Sequence, residues 1–268
     1  AGWGDDKISQ LHEAVQHSDR SLEDVRFLVA KGADVNARNG IIGNTPLHEA
    51  VRRQFSDDGD IEIIKYLVAQ GADVNATNRI GRTPFFEVGN VKVAEFLISK
   101  GADIRAKDRD GSPAYVEALK RSENPEVARY FASLGADIGV LRAKESDGQT
   151  RLFETYSLDM AKYLVSLGLD IHMRDKRGCT PLHSQLWNGN FEIVKFLIAQ
   201  GADIQAKEGW SNNSLLHLAS QQKDLELVKY IVSLGLDVNA KNKPGNTPLH
   251  LAARLNEDVE VCKILVAA

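Results

Sequence analysis

Thr180-Pro181-Leu182-His183-Ser184-Gln185-Leu186-Trp187-Asn188-Gly189-Asn190-Phe191-Glu192-Ile193-Val194-Lys195-Phe196-Leu197-Ile198-Ala199-Gln200-Gly201-Ala202-Asp203 is the stretch whose reading decides the fold. Thr followed by Pro starts a helix: the hydroxyl can cap an orphan amide, and Pro at the first helical position loses nothing by lacking an N–H. Gly201 ends a helix, since Gly takes the left-handed conformation beyond the last turn without steric penalty. Between them Phe191, Ile193, Val194, Phe196, Leu197 and Ile198 form a face broad enough to pack on neighbours from both sides. The stretch reads as helix, tight turn, helix, and an extended finger leading onward.

Both ends of this stretch recur in step. The closing tripeptide returns at Gly32, Gly71, Gly101, Gly135, Gly168 and Gly235 as well as Gly201, at intervals of 39, 30, 34, 33, 33 and 34 residues. The opening phrase returns as Thr45-Pro46-Leu47-His48 and Thr247-Pro248-Leu249-His250. Altered copies are Ser9-Gln10-Leu11-His12, Thr83-Pro84-Phe85-Phe86, Pro113-Ala114-Tyr115-Val116, Thr150-Arg151-Leu152-Phe153 and Ser214-Leu215-Leu216-His217. A unit of this size cannot bury its apolar face alone, so neighbour contacts must stabilise the array.

The Thr-Pro-Leu-His phrase, the Gly-Ala-Asp close and the period of about 33 residues resemble the ankyrin repeat. The resemblance runs from about Lys7 to Ala268 in eight copies, the last stopping where its closing Gly would fall. It implies an all-α fold, a single solenoid domain over 1–268 of stacked helix-turn-helix units with extended β-turn fingers. First helices and fingers would line a concave face, and second helices a convex back, in a body roughly 80 Å long at ~10 Å per repeat. The resemblance also implies a non-catalytic protein-protein interaction module, with the phrase His bonded locally to Thr and backbone.

Departures cluster in the middle. Phe86, Val116 and Phe153 replace the phrase His, so those copies are expected to hold their turns by packing. The third and fifth copies are about three residues short between their helices, and Gly135 to Gly148 spans 13 residues where 10 is usual. An acidic stretch, Ser56 to Asp60, is inserted in the second copy. The fingers at Gly40-Ile41-Ile42 and Gly209-Trp210-Ser211 are each one residue longer than usual. Either drift or a partner-specific surface accounts for these, since long loops on a rigid scaffold are where binding tends to sit.

Composition excludes several classes. The chain has 268 residues, 43% hydrophobic and 26% charged, as a soluble folded protein would. Its net charge of −4 argues against nucleic acid or an anionic membrane as partner. No apolar run approaches the ~20 residues of a membrane span. Ala1 at the start fits a trimmed chain or a signal-peptidase product, so the location is cytoplasmic by default and exported in the second case. Cys179 and Cys262 are too few for a disulfide framework. Cys179, beside Gly178 on a finger tip, is expected to be exposed and Cys262 to be core.

No catalytic constellation, phosphate loop or HExxH is present. Five of the seven histidines, His12, His48, His183, His217 and His250, sit in the repeat phrase one repeat apart, beyond the reach of one zinc ion; His17 and His172 are isolated. No metal or cofactor is expected. Glu13, Glu49, Glu87, Glu117 and Glu154 follow the His position and would form a ladder along the inner helices, with Arg52 and Lys120 three residues after Glu49 and Glu117 as helical ion pairs.

The phase of the repeat places a basic set at exposed positions of fingers and inner helices: Arg52, Arg53, Arg79, Arg82, Arg109, Lys120, Arg121, Lys176, Arg177, Lys243 and Arg254. Ile80, Tyr156, Trp187 and Trp210 share that register, with Gln221 nearby, and Trp with Arg is what binding hot spots are made of. The resulting expectation is a monomer that binds a protein partner along this face and masks or inhibits it. A nucleotide or RNA binder using the basic fingers is the alternative, marked by steep salt dependence and base stacking on Trp187 or Trp210.

Overall fold

A computed structural model describes residues 3–16, 21–53, 61–255 and 259–268. The acidic stretch Ser56–Asp60, His17 and Ala1 lie outside the described residues. The chain divides into two compact units, residues 1–140 and 141–268.

The first unit runs through paired elements: α1 (Trp3–Gln16) with α2 (Leu22–Ala30), and α3 (Pro46–Arg53) with α4 (Glu62–Ala69). A 3-10 turn (Pro84–Glu87) then precedes α5 (Val91–Ser99), and α6 (Ala114–Arg121) precedes α7 (Pro125–Ser133). A second 3-10 turn, Ile138–Arg142, occupies the long finger, with Leu141 buried. The second unit continues with α8 (Arg151–Glu154) and α9 (Leu158–Ser166), α10 (Pro181–Trp187) and α11 (Phe191–Ala199), α12 (Leu215–Ala219) and α13 (Leu225–Ser233), α14 (Pro248–Leu255) and α15 (Val259–Ala267). Among the described residues the β-structure is one isolated bridge, Lys107 to Pro113, so the fold is all-α as expected.

The capping chemistry operates as the residue types require. Gly32, Gly71, Gly101, Gly135, Gly168, Gly201 and Gly235 all have φ between 72° and 91°, where an L side chain is strained. Each inner element packs on its neighbours: Leu47, Phe85 and Leu119 are buried in the first unit, and Leu152, Leu186 and Leu216 in the second. Phe85 meets Phe131 of α7 at 5.7 Å between ring centroids.

The phrase histidine does more than the local work expected of it. In His48 the Nδ1 accepts the Thr45 N–H and faces the Thr45 hydroxyl, while Nε2 lies 2.9 Å from the Arg82 carbonyl on the following finger. His183 reaches the Ala206 carbonyl and His217 that of Asn246 in the same way. Each imidazole thus joins its own turn to the next repeat. Where Phe86 and Phe153 replace it, the rings are buried as expected, and the Thr83 and Thr150 hydroxyls are left without a hydrogen-bond partner. The expected amide cap fails at these two positions.

This arrangement has an acid consequence. A neutral ring that accepts at Nδ1 and donates from Nε2 satisfies both sides, whereas a second proton would oppose the Thr N–H. Burial pushes the His48, His183 and His217 pKa values below the ordinary 6.5, against the opposing pull of the carbonyl bonds. The unfolded chain therefore takes up these protons at higher pH than the folded one. Their contribution to stability is complete above about pH 6.5 and is lost as pH falls from there through the lowered folded-state values. Thermal melts followed by circular dichroism are expected to show a flat melting temperature above about pH 7 and a decline below about 6.5. A melting temperature flat throughout that range would refute the assignment.

Candidate functional site

The fingers are tight hairpins built around one buried polar residue. Asn78, Asp108, Asp175, Glu208 and Asn242 are each buried, and their side chains accept the turn's own N–H groups. Asp175 takes the N–H of both Arg177 and Cys179, at 2.9 and 2.8 Å. Burial works to raise its pKa, but these bonds and those from Gln149 and the Arg177 side chain hold it below the usual value. The carboxylate therefore stays charged and keeps the finger closed.

Neighbouring fingers are then stitched edge to edge. In the first unit the Arg79 N–H donates to the Ile42 carbonyl and the Arg109 N–H to that of Ile80. In the second the rungs are Lys176 to Asp147, Gly209 to Arg177 and Lys243 to Ser211. Gly178 and Gly209 allow this approach: a Cβ on Gly209 would lie 2.4 Å from the Arg177 carbonyl oxygen.

In the second unit these constraints create an open cleft of about 460 Å³. Arg177 and Cys179 come from one finger, Glu208, Trp210, Ser211 and Asn213 from the next, and His183, Ser184, Trp187, Asn188 and Leu218 from the inner helices and their ends. Trp187 ends α10 and is 64% exposed, and Trp210 on its finger is 73% exposed. The structure thus brings Trp187, Trp210 and Arg177 together. Gln221 does not line the cleft; its amide turns back to the His217 carbonyl. Tyr156, just past the end of α8, is 71% exposed, while Lys176 and Lys243 are exposed on the fingers.

The first unit corrects the picture of an open basic face. Arg82 is an internal bridge: its guanidinium contacts Asp108 at 3.1 Å and Glu117 at 3.2 Å, and lies over the Phe86 ring. Arg52 pairs with Glu49 and Lys120 with Glu117, as their spacing predicts, and Arg121 pairs with Glu87 of the preceding repeat. Within the carboxylate ladder Glu49 and Glu87 are buried and Glu117 is half-buried, while Glu13 and Glu154 are exposed. Register along a helix told which side these residues occupy; it did not reveal that Arg82 and Arg121 would be neutralised by acids of adjacent repeats. Arg53 is half-buried at the end of α3, Arg79 donates to the Ile41 carbonyl, Arg109 is exposed, and Ile80 is 42% exposed. Ile41, 90% exposed, and Ile42, 50% exposed, belong to the same finger surface and were missed as contact candidates, although the extra residue in that finger was the available signal.

The cysteines also differ from expectation. Cys179 is half-buried in the cleft rather than exposed, and burial first, then the Asp175 charge, pushes its thiol up to about 11. Cys262 is half-buried too, not core. Since the thiolate is the nucleophile, native Cys179 is expected to react with a thiol reagent at about pH 8 far more slowly than a small-molecule thiol does. Equal rates would contradict this placement. Among the described residues no group of three or more His, Cys, Asp and Glu could hold a metal ion, and no helix is long and apolar enough to cross a membrane.

Comparison with known proteins closes the identification. Family models described as ankyrin repeats match residues 11–108, 55–142 and 114–208, and a further ankyrin-repeat model matches 215–266. A search of curated proteins finds no match to the chain. Such repeats are generally protein-protein interaction modules and typically non-catalytic. With these matches spanning most of its length, and with the helix pairs, capped turns and hydrogen-bonded fingers that the matches require, the chain belongs to the ankyrin-repeat family.

Proposed function

We propose that the chain binds one protein partner through its fingers and inner helices and acts by occupancy, masking or inhibiting the surface it covers. The observation that carries this reading is the pair Trp187 and Trp210, mostly exposed on the rim of one cleft with Arg177 beside them. Large aromatics held in water cost solubility and mark interaction sites, and Trp with Arg dominates measured hot spots. Rigid, stitched fingers lower the ordering cost of association. Nucleotide or RNA binding is the weaker reading, because Arg82, Lys120, Arg121 and Arg52 already meet carboxylates.

The reading is tested by placing a photo-crosslinking residue at Asn212, exposed on the Trp210 finger, and separately at Lys195 on the outer helix α11. A defined protein adduct from position 212 and none from 195 is expected. Adducts of equal yield from both, or none from 212, would count against it.

A further inference from the structure

We propose that the fingers at residues 174–179, 207–213 and 241–246, with the Trp187–Trp210 cleft, receive an extended acidic segment of the partner, one apolar side chain of which sits between the two tryptophans. This rests on the reading of the cleft as a protein-binding site. Three observations carry it.

The first is charge. The three finger segments hold six Lys or Arg against two acids, Asp175 and Glu208, in a chain whose net charge is −4. Both acids are buried and turned into their own hairpins. Asp175 accepts from Gln149, Arg177 and Cys179, and Glu208 from the N–H groups of Trp210, Ser211 and Asn213. What these fingers present outward is therefore cationic. Lys176 and Lys243 are exposed and have no carboxylate partner among the described residues, whereas the outer-helix Lys195 and Lys229 each pair with a Glu three positions back. Charge left unpaired beside a hydrophobic site favours a partner of opposite sign and speeds the encounter.

The second is continuity. The backbone rungs from Gly209 to Arg177 and from Lys243 to Ser211 hold the basic tips and Trp210 in one row. Lys176 and Lys243 lie on that row but outside the cleft lining. A ligand small enough to fit the cleft would miss them and would leave the outer faces of Trp187 and Trp210 in water. A chain segment that crosses the fingers covers the tryptophans and meets the lysines together.

The third is what lines the cleft. Leu218 and the two tryptophans offer an apolar seat, while Ser184, Asn188 and Asn213 offer polar groups to a passing backbone. The cleft lining itself holds a single Lys or Arg, Arg177, so it suits the apolar side chain while the acidic groups meet the finger lysines outside it. With the overall negative charge, this favours a short acidic stretch of protein over a long polyanion.

Fluorescence anisotropy with labelled short peptides tests the proposal. The probes are a Glu/Ser peptide with one central Leu, the same peptide with Gln for every Glu, the same with Ser for Leu, and an oligo(dT) strand. The Glu/Leu peptide is expected to bind at least ~10-fold more tightly than either altered peptide, and to weaken as salt is raised. Lys176→Glu with Lys243→Glu should weaken it at least ~10-fold, while Lys195→Glu with Lys229→Glu leaves it unchanged, melting curves confirming that each variant is folded. Equal binding of the Glu and Gln peptides, equal loss from the outer-helix reversal, or displacement of the peptide by oligo(dT) at lower concentration would each overturn the proposal. The protein cross-linked at position 212 separates this from the reading beneath it. If that protein is lost on removing the tryptophans but is indifferent to reversal at Lys176 and Lys243, the acidic segment is wrong and the protein-binding cleft stands. If it is indifferent to both, both are wrong.

Discussion

Replacing Gln185 by Ala is expected to destabilise the second unit by about 2–4 kcal/mol, an effect out of proportion to one polar side chain. Its amide is wholly buried and shares its two N–H groups among three carbonyls of the preceding pair, Leu152 at 3.0 Å, Phe153 at 3.2 Å and Thr155 at 3.0 Å. Its carbonyl accepts from Asn190 at 2.6 Å. The need for this arises in α8, which stops at Glu154 after a single turn and leaves its carbonyls facing α10. In five of the other copies the same place, two residues beyond the phrase His position, is filled by Ala14, Ala50, Ala118, Ala219 and Ala252, and in the two shortened copies by Val88 and Thr155. Gln185 therefore supplies from its own repeat the donors that a full inner helix would have supplied in the repeat before. In Gln185→Ala, Phe153 keeps the Ser184 hydroxyl, but the Leu152 and Thr155 carbonyls lose these donors and the Asn190 amide loses its acceptor, each lost buried bond costing on the order of 1 kcal/mol or more. Urea unfolding followed by circular dichroism measures the loss, and hydrogen exchange across residues 151–157 should accelerate. A loss below about 0.5 kcal/mol, the range of an inconsequential surface change, would show that the carbonyls find other partners.

The fold was legible because its signals are local. Thr-Pro and the closing Gly act within one turn of where they stand, so Pro181 and Gly201 could be placed from chemistry alone, and the αL glycines follow. The shortened third and fifth copies were legible as missing residues between Phe86 and Asn90 and between Phe153 and Ser157, and the structure converts those deficits into a 3-10 turn and a one-turn helix. What sequence did not convey was which partner each polar side chain would choose across a repeat boundary. Nothing near Arg82 in sequence marks Glu117, 35 residues away, as its partner. Nor does anything in the neighbouring sequence mark the Asp175 and Glu208 carboxylates as buried within their own hairpins. The exposed register of Trp187 and Trp210 was readable because it depends only on helix phase and finger position. The cleft they share was not readable, since it depends on the closeness of two fingers that Gly178 and Gly209 permit.

Removing both aromatics, Trp187→Ala with Trp210→Ala, is expected to weaken partner binding by at least ~2 kcal/mol, about 30-fold, with helical content intact. Stability should change little for reasons that differ at the two sites. Trp187 is the last residue of α10, where Ala is the better helix former, and its ring is mostly in water. Trp210 contributes its backbone N–H to Glu208, at 3.0 Å, and Ala keeps that bond. Truncation thus removes apolar area that water already covers in the unbound chain and that a partner would cover on binding, so the loss falls on association and not on folding. The control is Lys195→Ala with Lys229→Ala on the outer helices, where each Lys makes an exposed pair worth little; these should leave affinity unchanged. Affinity and melting temperature must be measured on the same preparation. A double variant that melts far below the parent would mean the rings pack as core, and binding lost in proportion to unfolding would carry no information about contact. A folded double variant with full affinity would end the cleft hypothesis and direct attention to the other exposed finger surface, Ile41, Ile42 and Ile80 in the first unit.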